Sequence, residues 1–417
     1  MIRYLAVALA VALAAACGQP ATSSLTISGS AVGLEAELLR RQLARYTEAH
    51  PSTAVALRAT PDAADQRHQL YVQWLNARAA DPDILQLDVI WTAEFAAAGW
   101  IAPLDDQASE REAFFPAAIG AQRWNGSLYA LPWFMDVGVL YWRTDLMPHA
   151  PRDLGELRAF AAAAQATGQV PFGLVWQGAR YEGLVTVFLE YLAASGGTIL
   201  DSAGGVTVDS EAAVRALTIM RDDLRDGVVP AAALGWQEEQ VRFAFQNGQS
   251  AFMRNWPYAR PLLADRSSSA VAGRFDVAAL PAGPGGHAAA ALGGSALAIN
   301  AYSDRRTEAL DVVRFLLAPE QMLERARVTG QYPTRRALYA GSALGDALHA
   351  DPVAIAGILD AAVARPATPV YSELSDILQV SLHRALSGLD EPASALHAAA
   401  SGMRAVLARV HLEPRQP

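Results

Sequence analysis

Ile84-Leu-Gln-Leu-Asp-Val-Ile-Trp91 is an almost continuous apolar run, broken only by Gln86 and Asp88. A strand with one wet face alternates, whereas a strand covered on both faces does not, so this run reads as a buried parallel strand. Its neighbours agree. Upstream, Leu25-Thr-Ile-Ser28 alternates and reads as a strand. Over 34–49, Leu39, Leu43 and Tyr46 share one helical face, and Pro51 ends the helix. A second strand is expected over 53–58, and a helix over 65–79 with Leu70, Trp74 and Leu75 inward. Downstream, a short helix ends at Gly99, and Trp100 and Leu104 close the unit. Strand, helix, strand, helix, strand in about 80 residues predicts a parallel sheet with helices on both faces.

A second set of elements begins near Val137-Gly-Val-Leu-Tyr-Trp142. Helices are expected at 153–167, 182–195, 210–226 and 236–247, and strands at 250–254 and 295–300. The remainder reads as mainly helical, over 305–328, 352–363, 373–387 and 392–410. The segment 129–134 and the Gly- and Pro-rich stretch 281–294 are the candidate crossings between two lobes.

The amino terminus is of another kind. One positive charge, Arg3, precedes an apolar run over 5–16 that stops at Cys17, the single cysteine. A dozen apolar residues are too few to span a bilayer, which takes ~20, and fit the core of a secretory signal peptide. Cys17 after Ala14-Ala15-Ala16 resembles a bacterial lipobox, which predicts a signal peptide over 1–16 and a lipidated tether over 17–24. The protein is therefore expected outside the cytoplasm, in the periplasm or at the cell surface, held to a membrane through Cys17.

The composition excludes several chemistries. The chain has no lysine, so all 33 basic residues are arginine, and there is neither a Walker lysine nor a Schiff-base lysine. With Cys17 at the mature terminus, disulfides and cysteine-based metal sites are excluded. The net charge of −9 argues against nucleic acid as a partner. There is no GxGxxG after a strand, no HExxH and no GxSxG, and the eight histidines are scattered, so no metal, no cofactor and no catalytic residue is assigned.

What remains is acidic and aromatic. Asp88 ends a strand near Trp91, Asp136 follows Trp133-Phe134-Met135, Glu182 follows Tyr181, and Trp256 stands in Asn255-Trp256-Pro257-Tyr258. Singly, each reads as well as a core residue or a helix cap. Together they suit a sugar. Carboxylates accept hydrogen bonds from vicinal hydroxyls, and aromatic rings pack on the apolar faces of pyranoses. Two of Asp88, Asp136 and Glu182 could equally be a glycosidase pair, and the sequence does not give their separation.

Several segments are similar to the trehalose/maltose-binding proteins, the lipid-anchored receptors of carbohydrate ABC importers. They are Asp88-Val-Ile-Trp-Thr-Ala-Glu-Phe, Tyr129-Ala-Leu-Pro-Trp-Phe-Met-Asp136, Trp176-Gln-Gly-Ala-Arg-Tyr-Glu-Gly-Leu184, Arg254-Asn-Trp-Pro-Tyr258 and Leu292-Gly-Gly-Ser295. The resemblance runs from about residue 25 to about 405. It implies a two-lobed α/β fold of the type II periplasmic-binding-protein kind, with the ligand in the cleft between lobes. One lobe would take 25–132 plus about 295–335, the other about 133–294 plus 336–417.

Carried over by position, Glu35 resembles a sugar-binding acid, and Arg67 and Arg365 resemble cleft arginines. Asp88 and Asp136 resemble aspartates that grip hydroxyls. Trp256 resembles the stacking ring, with Tyr258 beside it. Phe134 stands where tyrosine is frequent. Gly294 resembles a glycine that lets backbone approach the sugar. Ser295 stands where close relatives carry tryptophan, and Tyr332 is a candidate to fill that gap. The function implied is a monomeric, non-enzymatic receptor that captures an α-linked disaccharide and delivers it to a permease. An exported glycosidase and a receptor for a polyol or glycerophosphodiester are the alternatives.

Overall fold

The computed structural model describes residues 24–105, 111–284 and 287–410. Cys17 and the expected signal peptide and tether lie outside the described residues, apart from Ser24. Among the described residues no helix is long and apolar enough to cross a membrane.

The strands, in chain order, are β1 (Leu25–Ser30), β2 (Val55–Thr60), β3 (Ile84–Asp88), β4 (Arg123–Trp124), β5 (Ser127–Leu128), β6 (Ala130–Val137) and β7 (Val139–Arg143). They continue as β8 (Phe172–Val175), β9 (Ser250–Asn255), β10 (Phe275–Ala278), β11 (Ala290–Ile299), β12 (Tyr332–Pro333) and β13 (Ala362–Val363). Two sheets carry the two lobes. The larger has the order β12-β6-β11-β3-β1-β2, with β13 on the start of β11, and the smaller has the order β10-β7-β9-β8.

β1, β2 and β3 pair in parallel, as expected from the opening run. The larger sheet is nevertheless mixed, because β11 runs antiparallel to both β3 and β6. β11 arrives from the second lobe and lies beside the strand that carries Asp88. A crossing strand of this kind shows no local sequence pattern that reveals its partner. β6 passes through Gly138 directly into β7, so the chain changes sheets there with a single residue between strands.

Several boundaries move for local reasons. β2 begins at Val55 because a turn at 50–53, closed by Thr53 N–H donating to His50 O, takes up Thr53 and Ala54. In the helix Ala64–Asn76 the buried side chains are Arg67, Tyr71 and Leu75, with Leu70 and Trp74 half-buried at its flanks. The inward face thus starts on an arginine, which an apolar-only reading passes over. Pro319 divides the helix expected over 305–328 into Arg306–Leu316 and Pro319–Thr329, since proline is accommodated in a first turn but not in a helix interior.

The second lobe is built around the helix Glu182–Ala194, in which every residue is buried. A helix buried on every side must be covered all round, and its acids Glu182 and Glu190 must find partners there. Leu184, Val185, Phe188 and Leu192 share one core with Leu217 and Met220, with Phe252 of β9, and with Leu374, Leu378, Leu396 and Met403 of the last two helices.

Candidate functional site

A cleft between the lobes, open at its mouth, encloses about 110 Å³. Glu35, Arg67, Asp88, Phe134, Asp136, Trp256, Tyr258, Gly294, Ser295 and Arg365 all line it. So do Ser30, Asp62, Gln86, Tyr181, Glu182, Thr186 and Glu238. Of these, only Glu182 had drawn notice from the sequence as a site candidate. Tyr332 does not line the cleft. It lies on β12 beside β6, paired opposite Met135, and lines a separate pocket with Tyr141 and Arg260, so it leaves the gap at Ser295 unfilled.

The cleft floor is charged and most of its side chains are buried. Glu35, in the first turn of the helix Glu35–Ala49, is 7% exposed; its Oε1 accepts from Gln331 Nε2 at 2.8 Å. Burial raises its pKa, against the opposing pull of Arg325 and Arg67. Asp136, near the end of β6, has an Oδ1 buried without a hydrogen-bond partner. Burial pushes its carboxyl well above the ordinary range; Glu35 adds to this, Arg325 opposes it, and Asp88 adds further. Arg325 lies beneath both, its guanidinium 3.7 Å from the Trp133 ring, and burial lowers its pKa to about 10. Neither composition nor pattern marked Arg325, because it sits within an ordinary amphipathic helix.

Gln86 ties the floor together. Its Oε1 accepts from Ser30 N–H at 2.8 Å, and its Nε2 donates to Ser295 Oγ at 3.1 Å. The visible signal was a polar residue inside an otherwise apolar strand.

One wall is closed by Arg365, which follows β13. Nη2 donates to Asp88 Oδ1 at 2.8 Å and Nη1 to Glu182 Oε1 at 2.9 Å. Glu182 also accepts from Tyr371 OH at 2.8 Å and from Ser375 Oγ. Burial works against the Arg365 charge, but Asp88 and Glu182 hold its pKa above the ordinary value. Asp88 is at once a cleft carboxylate and a turn cap, since Oδ1 also accepts from Ile90 N–H at 3.2 Å. Arg67 spends Nη1 on the carbonyls of Pro61 and Asp62, at 3.0 and 3.1 Å.

On the other side Trp256 follows β9. Its Nε1 donates to Glu238 Oε1 at 3.4 Å, and Tyr258 OH donates to Glu239 Oε1 at 2.7 Å. Gly294 has φ +121°, and a Cβ there would strike the backbone oxygen of Phe134. The close approach that requires glycine is therefore between β11 and β6, where the register shifts after Ser295.

Beside this wall, Asp65 of the helix Ala64–Asn76 accepts from Glu182 N–H at 3.4 Å, so it joins the first lobe to the N-terminus of the second lobe's buried helix. Burial raises the Asp65 pKa to about 6, and the Glu182 charge adds to this. A raised folded pKa gives stability that is full below the unfolded value of ~3.9 and lost as pH rises through about 6. Asp65→Asn is expected to flatten the melting temperature between pH 4 and pH 6. An unchanged slope in thermal scans across that range would show that Asp65 is not the titrating group.

Six carboxylates (Glu35, Asp62, Asp88, Asp136, Glu182 and Glu238) line the cleft against two arginines, Arg67 and Arg365. The arrangement offers acceptors and an aromatic ring, and it repels anions.

Residues 34–323 match the family described as bacterial extracellular solute-binding protein. A probable ABC transporter-binding protein of Deinococcus radiodurans is 37% identical over 403 residues, covering 93% of this chain and 94% of its own. The maltose-bound MalE3 of T. maritima is 39% identical, with a TM-score of 0.88 over 92% of this chain and 100% of its own. The GacH receptor of Streptomyces glaucescens has a TM-score of 0.82 at 24% identity over 92% and 98%, and shares the fold.

Proposed function

Because the chain belongs to the bacterial extracellular solute-binding protein family, we propose that it is the receptor of a carbohydrate ABC importer and takes an α-linked disaccharide of the maltose or trehalose type. The observation that carries this reading is the pairing of an acid-rich floor, which holds the buried and unpartnered Asp136 Oδ1, with the Trp256 ring. The likeness to a maltose-bound protein at 39% identity over 92% of this chain supports it. The carboxylates would accept from sugar hydroxyls, and Trp256 would cover an apolar sugar face. We take the lobes to divide at Gly138 and near Ala290, so that closure bends these segments around the sugar.

The glycosidase alternative loses support, since Asp88 and Glu182 are both hydrogen-bonded to Arg365 and neither is free for proton transfer. A phosphorylated solute would face six carboxylates and two arginines already engaged. Calorimetric titration with maltose, trehalose, sucrose and a trisaccharide tests the reading. Binding of neither maltose nor trehalose, or release of monosaccharide during incubation, would overturn it.

Ser295 sits on the floor, with its hydroxyl against Gln86. An indole there would narrow the cleft and add an apolar wall. Ser295→Trp is expected to reorder the four sugars by affinity. A uniform loss across the panel would mean that the position governs closure alone.

Cys17→Ser is expected to release the protein from the membrane fraction and leave sugar affinity unchanged. One acyl chain binds membranes only marginally, so a stable tether needs several on this residue. A variant that still pellets with salt-washed membranes would exclude the lipid anchor.

A further inference from the structure

Behind the Trp256 wall lies a buried ion pair that the cleft chemistry does not use. Arg254 of β9 and Glu190 of the helix Glu182–Ala194 each have side chains 4% exposed. The contact is forked: Arg254 Nε donates to Glu190 Oε2 at 2.8 Å, and Nη2 donates to Oε1. Nη1 donates to Gln177 Oε1 at 3.2 Å.

Two further contacts give the pair its meaning. The guanidinium carbon of Arg254 lies 4.0 Å from the Trp256 ring centroid. A planar guanidinium stacks on an indole as an ammonium cannot. With Arg254 on one face, the ring is left its other side for the cleft. On the far side of the pair, Glu190 Oε1 also accepts from Ala291 N–H at 3.2 Å. A Cβ on Gly138 would strike that same oxygen. Gly138 and Ala291 lie in the two segments that pass between the sheets, and Gly138 N–H donates to Ala291 O at 3.2 Å. One carboxylate is therefore seated against both crossing segments, while its cation backs the aromatic wall of the cleft.

Stability does not account for such a pair. Well-packed apolar replacements of a buried ion pair are often neutral or stabilising. We propose that Arg254 and Glu190 are positioning residues for ligand binding. They set the Trp256 ring at the cleft wall and fix it relative to the segments that bend when the lobes close. This inference rests on Trp256 being the stacking platform.

The test is a double-mutant cycle read by calorimetry with maltose, using the full-length protein. Arg254→Met is expected to weaken maltose binding by tenfold or more in the native background, and by less than twofold in a Trp256→Ala background. Arg254→Met alone leaves Glu190 buried and unpaired, so Glu190→Gln with Arg254→Met is measured beside it. That neutral pair is expected to melt near the parent temperature and still to lose affinity. Arg254→Lys, which keeps the charge but not the plane, is expected to recover stability more than affinity. An equal loss from Arg254→Met in both backgrounds would overturn the positioning role, because the effect would then not pass through the ring. Parental affinity in Trp256→Ala would overturn the platform reading itself.

Discussion

Arg365→Met is expected to lower the unfolding free energy by about 3–5 kcal/mol, the usual cost of removing one partner from a buried ion pair. The same substitution should weaken sugar binding by at least tenfold. Arg365 has a side chain 2% exposed and is shared by Asp88 at the end of β3 and Glu182 at the start of the buried helix. Without it, two carboxylates are left in a largely buried wall with no cation between them. Lysine should not rescue the variant, because one ammonium cannot reproduce the fork that reaches both acids. Denaturant unfolding and calorimetry check both effects. A stability loss below 1 kcal/mol with unchanged affinity would mean that the bridge is incidental.

Asp136→Asn is expected to have the opposite signature. Burial raises the Asp136 pKa well above its ordinary value, with Glu35 adding and Arg325 opposing. Protonation is therefore favoured in the folded state, and the ionised carboxylate costs stability at every pH above the unfolded value of ~3.9. Asparagine removes that cost, so the free protein should melt at the parental temperature or above it. Binding should suffer, since the hydroxyl donors of a sugar favour an ionised carboxylate that asparagine cannot provide. The net loss for one hydrogen bond is about 0.5–1.5 kcal/mol, which is roughly two- to tenfold in affinity. A lower melting temperature with unaltered sugar affinity would show Asp136 to be a structural acid.

The sequence carried the two-lobed plan because its signals are local. The run around Leu85–Leu87 marked a covered strand, and the helix starting at Glu182 was visible from its apolar content. The antiparallel course of β11 was not visible, since the strand that Leu297 lies beside is decided by a crossing that begins in the other lobe. Asp88, Asp136 and Trp256 stood out as acids and a ring beside apolar segments, whereas Glu35 and Arg365 came only through family resemblance; none followed from periodicity. Gln86 left a trace as a polar break. Arg325 and the Arg254–Glu190 pair left none, because a buried charge is intelligible only once its distant partner is known. Ser295 was noticed for the ring it lacks. Tyr332 is excluded as the substitute by its place on β12, where it lines a separate pocket.

The contacts that Asp65 and Arg365 make between the lobes have a consequence for transport. Each is formed by the protein's own groups, so each holds the lobes in the arrangement observed here without any ligand. A ligand that binds only that arrangement has an apparent dissociation constant divided by the fraction of molecules already competent. Strengthening these contacts would raise that fraction and tighten capture from dilute solution. It would equally raise the work a permease must do to prise the lobes apart. Affinity and delivery rate are thus set against each other by side chains that need never touch the sugar.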